Sequence, residues 1–248
     1  MIDVRRLEPG EHLDDVDALY RRVFGLAPTD SGMNPRLLVA LTRSGGHLVG
    51  AFADGTLVGY GLALLARSGG TVHHYSQTVA VDAAYRGQGV GRAVKFEQRA
   101  ASLADGITTM RWAFDPVQAR NAHLNLDVLG GVVDTFVRDL YGNAAPGNDV
   151  GERTDRCIVT WSLTAPPRPP APAPPAVPVG ETVDVGDDVL LGVPTDWSTF
   201  RAGTDAAAAR ETIAAAFTSS LDHGLVATSC RRVSDAVAVY RFTPAVAS

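Results

Sequence analysis

Arg86-Gly87-Gln88-Gly89-Val90-Gly91-Arg92 sets three glycines between two arginines, and such a stretch can hold phosphate oxygens. Glycine lets the main chain approach a ligand with no Cβ in the way, and the first turn of a helix points unpaired N–H groups and a partial positive charge at anions. The neighbours supply that setting. Gln77-Thr78-Val79-Ala80-Val81 is a β-rich run bounded by Asp82, and Arg92-Ala93-Val94-Lys95-Phe96 opens a run with no breaker before Gly106. The order is strand, glycine loop, helix. The spacing is not G-x-G-x-x-G and no Gly-Lys-Ser/Thr ending follows, which argues against a dinucleotide fold and a nucleoside triphosphatase.

Further elements surround this core. Ile2 to Leu7 reads as a first strand, and Leu13, Val16, Leu19, Tyr20, Val23 and Phe24 recur at three and four, giving an amphipathic helix up to Gly25. A short helix is expected near Pro35 to Thr42, then a hairpin of His47 to Phe52 and Thr56 to Ala66, turned by Asp54-Gly55. Val90, Val94, Ala101 and Ala104 share one face of the helix after the loop, with Glu97 on the same face. Ile107 to Phe114 reads as a strand, Val117 to Leu129 as a helix ending in Gly130, and Val132 to Val137 and Cys157 to Leu163 as two last strands separated by a polar loop.

The Arg-x-x-Gly-x-Gly pattern after a Val-x-Val strand resembles the pyrophosphate loop of the GNAT superfamily of acyl-coenzyme A (CoA) dependent N-acyltransferases, and the resemblance covers about residues 1 to 164. Phe114-Asp115-Pro116, Arg120-Asn121-Ala122-His123-Leu124-Asn125-Leu126 and Asp139-Leu140-Tyr141-Gly142 are similar to a predicted GNAT subgroup with a C-terminal extension. The resemblance implies a mixed central sheet flanked by helices, an α/β (α+β) fold. It also implies that the backbone of Val79, Ala80 and Val81 pairs with the pantetheine arm of acetyl-CoA or another acyl-CoA. Arg86, Gly87, Gln88, Gly89, Val90, Gly91 and Arg92 would hold the diphosphate, and Arg120 and Asn121 would touch pantetheine or phosphate. Arg120 has an alternative reading as part of a solvated helix face.

A base that takes the proton of an acceptor amine is sought in His73-His74-Tyr75-Ser76-Gln77, where alternate side chains face opposite sides of a sheet. His74 shares parity with Ser76 and Thr78, and the subgroup usually carries His and Ser at the positions of His74 and Ser76, so His74 is the expected base with Ser76 beside it. The other reading is a histidine that satisfies hydrogen bonds inside the sheet. Leu126 stands where the family often has a tyrosine that protonates the departing thiolate. Tyr141 is the favoured substitute and His123 the other candidate; Asn125 could give a hydrogen bond instead, or the thiolate leaves unaided.

Eight of the fifteen prolines fall in residues 165 to 178, a stretch that makes neither helix nor ladder and is expected to be an extended linker. Residues 181 to 248 then form a small lobe, with Val183 to Val193, a helix over Asp205 to Leu221, and strands at Leu225 to Arg231 and Ala236 to Phe242. Such a lobe is small for an independent core, so it is expected to pack on the first domain or across a homodimer. The expected domains are therefore residues 1–164, a linker at 165–180, and 181–248.

The net charge of −5 with no basic block argues against nucleic acid or an anionic membrane as partner. No apolar run is long enough for a membrane helix and the start lacks a signal-peptide centre, so a cytoplasmic protein is expected. Cys157 and Cys230 lack metal-ligand spacing, so reduced thiols and no metal are expected. The expected activity is transfer of an acetyl or succinyl group to a small-molecule amine. The alternatives are a GNAT-like acyl-CoA decarboxylase or S-acyl carrier using His74 and Thr78, and a non-catalytic acyl-CoA binding module.

Overall fold

The computed structural model describes residues 1–142, 153–203 and 205–245. They form two compact units, one of Met1–Trp112 with Ser162–Thr164, the other built from the chain after Trp112. This division does not follow the expected domains, because residues 113–142 group with the C-terminal strands rather than with the glycine loop. The expected polar loop at 143–152 lies outside the described residues.

In the first unit the strands are β1 (Ile2–Leu7), β2 (His47–Ala53), β3 (Thr56–Ser68), β4 (Thr71–Val81) and the start of β5 (Thr109–Phe114). They lie in chain order, antiparallel except for β5, which runs parallel to β4. The β2–β3 turn is set by Asp54 at φ 47° and Gly55 at φ 80°, the two left-handed residues of the tightest hairpin turn. One face carries α1 (Leu13–Phe24) and α2 (Pro35–Arg43), which bury Val16, Leu19 and Leu38 against Tyr60, Leu62 and Ala80. The other face carries α3 (Val90–Ala104), whose Val90 and Val94 pack on Val49, Ala51, Val79 and Val81. Gly59 and Gly61 let α3 sit close to the sheet: a Cβ on Gly61 would stand 2.7 Å from Val94 Cγ1.

The second unit has an antiparallel sheet with the order β7 (Arg156–Ser162), β6 (Val132–Val137), β10 (Leu225–Arg232), β11 (Val237–Pro244), β9 (Asp188–Pro194), β8 (Thr182–Val185). Before it come α4 (Ala119–His123) and a π-helical turn at Leu124–Val128; between β9 and β10 lie α5 (Trp197–Arg201) and α6 (Ala206–Asp222). Phe217 of α6 meets Phe136, Tyr240 and Phe242 at centroid distances of 5.0–5.5 Å. Val183 to Val193 is two strands rather than one, because Gly186 at φ 62° turns the chain. The C-terminal strands do not form a lobe of their own: β10 pairs with β6 at Ala227 and Val133.

Residues 165–178 carry neither helix nor ladder, as expected, yet they are tied along the second unit rather than left as a free tether. Arg168 donates to the carbonyls of Thr228 (2.8 Å) and Gly130 (3.0 Å), Arg231 donates to Ala171 O, and Val177 is buried with Leu190 and Val239. Both cysteines are buried and free. No helix among the described residues is long and apolar enough to cross a membrane.

Candidate active site

β4 is two strands in function, divided by one residue. Leu62 faces Thr78 and Ala63 faces Ser76, so Gln77 is an extra residue with no partner on β3, a β-bulge. The β4–β5 ladder is confined to His74–Met110 and Tyr75–Arg111, and from Gln77 onward the edge of β4 away from β3 has no strand partner among the described residues. The bulge also reverses the alternation. His74 and Ser76 face α3 before it; after it Val79 and Val81 face α3, and Ala80 packs on the opposite face with Tyr60 and Leu62. Thr78 therefore does not share a face with His74 and Ser76, as simple parity had suggested.

Asp82 N–H bonds Val58 O at 2.9 Å, so the backbone groups of Ala80, two residues earlier, also point to β3. Those of Val79 and Val81 point to the open edge, where Arg86 Nε takes the Val81 carbonyl at 3.2 Å. The expected pairing edge thus belongs to Val79 and Val81. Ala80 is corrected: its backbone is spent in the β3 ladder opposite Tyr60.

The glycine loop follows a 3-10 turn at Ala83–Tyr85 that Asp82 caps through Ala84 N–H. Gly87 and Gly89 take φ of 81° and 82°, conformations that favour glycine, and Gln88 Nε2 closes the loop on Ala84 O at 2.9 Å. Gly89 stands at the start of α3 with no side-chain cap, and the first intrahelical bond is Ala93 N–H to Gly89 O. The N–H groups of residues 87–92 have no acceptor among the described residues. They form an uncapped cluster of donors at the positive end of a 15-residue helix. A recess of about 310 Å³ beside Arg86 is lined by Arg22, Val23, Asp82 and Ala83. Two guanidiniums thus line this recess, with Asp82 neutralising one (Arg22, 3.3 Å). Arg92 is exposed and lies 5.4 Å over the Phe96 ring.

The residues expected to do acid–base work are placed differently. His74 is fully buried; Nδ1 is 2.8 Å from Ser102 Oγ and Nε2 is 2.9 Å from Gly45 O, so both ring nitrogens face protein atoms. Burial pushes its pKa below the usual value. Ser76 donates to Gln98 Oε1 at 3.0 Å and accepts from Lys95 Nζ at 2.8 Å. Both lie under α3 rather than facing an acceptor, which is the bonded-histidine alternative.

The sequence pattern missed the stripe that encloses them: Lys95, Gln98 and Ser102 are buried, whereas Ala104 is exposed. Lys95 Nζ lies 3.8 Å from the centroid of Trp112, and burial pushes its pKa down to about 7. Its spacing of three and seven residues from Gln98 and Ser102 was the available signal.

Tyr141, Arg120 and Asn121 belong to the second unit. Arg120 and Asn121 are exposed at the start of α4. Tyr141 is 42% exposed, with the Arg156 guanidinium 5.2 Å from its ring and its N–H on Thr154 Oγ1. His123 Nδ1 is engaged by Cys230 O and Asp127, and Leu126 and Asn125 are buried, in the π-helical turn that replaces the expected regular helix.

A bulged strand, a glycine loop and an uncapped helix start thus follow one another in an α/β unit. Residues 13–124, a little under half of the chain, match the acetyltransferase (GNAT) family. The fold is shared with solved structures. The ribosomal-protein-S18-alanine N-acetyltransferase of Escherichia coli is 17% identical, with a TM-score of 0.52 over 67% of this chain and 96% of that one. YncA of Salmonella typhimurium, a putative acetyltransferase solved with its cofactor acetyl-CoA, is 19% identical, with a TM-score of 0.53 over 69% and 99%. The ribosomal-protein-alanine N-acetyltransferase of Brucella melitensis is 17% identical, with a TM-score of 0.53 over 64% and 99%. No curated protein sequence matches the chain.

Proposed function

We propose that this protein is an acyl-CoA dependent N-acyltransferase that moves a short acyl group, acetyl first and succinyl as the alternative, to the amine of a small molecule by direct attack. The observation that carries this reading is the row of unpartnered N–H groups at residues 87–92, next to a strand edge left open from Gln77. The donor set fits a diphosphate: main-chain N–H groups at a helix start, with Arg86 next to them in the loop. Acetyl-CoA, as in the Salmonella structure, supplies the activated acyl thioester.

In this reading Gly87 to Arg92 bind the diphosphate. Val79 and Val81 bind the arm through their open-edge backbone groups, and one of their N–H groups is the donor for the thioester oxygen. Arg120 and Asn121 add contacts to pantetheine or phosphate. Since His74 and Ser76 are enclosed, the acceptor's ammonium proton goes to water, and the pH profile follows the acceptor's own pKa. Tyr141 is the candidate acid for the thiolate.

Calorimetry with acetyl-, succinyl- and malonyl-CoA, followed by a thiol-release assay against amino acids, polyamines and aminoglycosides, tests the reading. One donor should bind and release thiol only when an amine is present. A folded protein that binds none of the three overturns it. Binding without turnover would favour the non-catalytic module, which the buried Leu126 at the usual tyrosine position supports. Carbon dioxide release from malonyl-CoA without amine would favour the decarboxylase.

A further inference from the structure

The end of α3 opposite the glycine loop holds a second concentration of chemistry, independent of acyl transfer. His47, at the start of β2, is 1% exposed, yet neither of its ring nitrogens has a hydrogen-bond partner. Burying such atoms unpaired is costly, and native structures rarely carry that cost without a use. The His74 ring stands edge-on to it at 4.7 Å between centroids. Asp105, the residue that ends α3, is the third member: one ligand atom from each of His47, His74 and Asp105 lies within 4.8 Å of the other two. Asp105 Oδ1 holds Arg6 at 3.0 Å, and Oδ2 has no partner among the described residues. A recess of about 310 Å³ lined by Arg6, Glu8, Thr42 and Gly46 opens onto His47.

Proton counting at His74 points the same way. Its Nδ1 is 2.8 Å from Ser102 Oγ, Ser102 Oγ is 2.8 Å from Gln98 O, and its Nε2 is 2.9 Å from Gly45 O. Three contacts need three protons, whereas a neutral imidazole and a hydroxyl supply two. If Nδ1–H donates to Ser102 and Ser102 donates to the helix carbonyl, Nε2 aims a bare lone pair at the Gly45 carbonyl. A cation between those atoms resolves the contact. An imidazolium would also do so, but as a buried charge whose nearby carboxylate is already held by Arg6.

We propose that His47, His74 and Asp105 form a binding site for a divalent transition metal, with zinc the ion the ligands suit best. Two imidazoles and one carboxylate are a zinc donor set, and three protein ligands leave a fourth position for water from the recess or for Gly45 O. His74 would then use Nε2 as ligand while Nδ1–H donates to Ser102, the usual way in which the second nitrogen of a ligating histidine is fixed. Bonds of about 2.0–2.1 Å bring ligand atoms closer together than they stand here. Asp105, exposed at the helix end, is the member free to close the gap by a change of rotamer.

The test uses the full chain, stripped with chelator and titrated with Zn²⁺ in a calorimeter and with Co²⁺ in a spectrophotometer. The expected result is one ion per chain and an intense visible Co²⁺ spectrum of a four-coordinate site. His47→Leu removes no hydrogen bond from the fold, and it should weaken Zn²⁺ binding on the order of 100-fold or more, at least the loss seen when a ligand's supporting partner is removed. Asp105→Asn should weaken it as well, whereas Arg6→Gln, which breaks the same ion pair but frees the carboxylate, should preserve or tighten it. A folded wild-type chain that binds neither ion overturns the proposal, and so does equal binding by wild type and His47→Leu.

Discussion

The two halves of β4 solve opposite problems. Before Gln77 the strand points polar side chains at α3 and bonds every one that the site might have used: His74 to Ser102 and Gly45, Ser76 to Lys95 and Gln98. After Gln77 the side chains facing α3 are Val79 and Val81, packed into its core, while their backbone groups face the edge without a strand partner, the Val81 carbonyl bonded by Arg86. In the first half chemistry is buried in side chains and spent on structure. In the second it sits in the main chain and is available. A site whose donors are backbone atoms would tolerate almost any side chain that keeps the bulge, the glycine conformations and the helix start.

The comparison breaks most readily at the loop. Gly89→Val puts a branched side chain at φ 82°, but a Cβ there meets nothing within 4 Å, so the fold should survive with a lowered melting temperature. Each charge-assisted hydrogen bond is worth about 1.5–3 kcal/mol, so loss of two should raise the acetyl-CoA Kd by at least about 100-fold in calorimetry. The control is Gly91→Ala, whose Cβ makes only an ordinary 3.7 Å contact with Val81 inside α3; its melting temperature should be no lower than that of wild type.

A smaller but sharper effect lies under α3. Lys95 has its pKa lowered from 10.5 to about 7 in the folded chain by desolvation, so between those values the unfolded chain holds the extra proton. Stability should therefore rise as pH goes from about 7 to about 10.5 and be lowest below pH 7, where the folded state must bury an ammonium. Lys95→Met should flatten that slope and stabilise the protein at pH 7 by a few kcal/mol, less whatever the Trp112 face returns to the charged form. Denaturant melts of both proteins at pH 6.5, 8 and 9.5 decide it; a parallel pair of curves would contradict it.

The smallest effect on turnover belongs to Ser76→Ala. It strips Lys95 of its acceptor and Gln98 of its donor, so it should cost about 1–3 kcal/mol of stability without a matching fall in kcat. A large fall in kcat with the melting temperature unchanged would move Ser76 back among the reacting groups and end the contrast between the two halves.

Much of this is legible in the sequence. Asp54-Gly55, the helix ending at Gly25, the β-rich run before Asp82 and the three alternate glycines each carry a local physical preference, and each lies where it was expected. What failed was long-range. Parity from His74 to Thr78 presumes an unbroken strand, and nothing local in Gln77 marks a bulge. Lys95, Gln98 and Ser102 look like a solvent face until the sheet that covers them is in place. Gly186 splits a run whose apolar pattern reads as one strand. His47, His74 and Asp105 are 27 and 31 residues apart along the chain, so their meeting is a product of topology alone.

The pinned proline-rich segment bears on how the protein can be cut. A fragment ending at residue 164 would lose β10, the neighbour of β6, along with Arg168, which covers the Gly130 carbonyl. Its raw strand margin would invite copies to zip together. The boundary that looks safest in the sequence is therefore the one from which a truncated product should self-associate, and the tail is better regarded as a built-in guard on solubility.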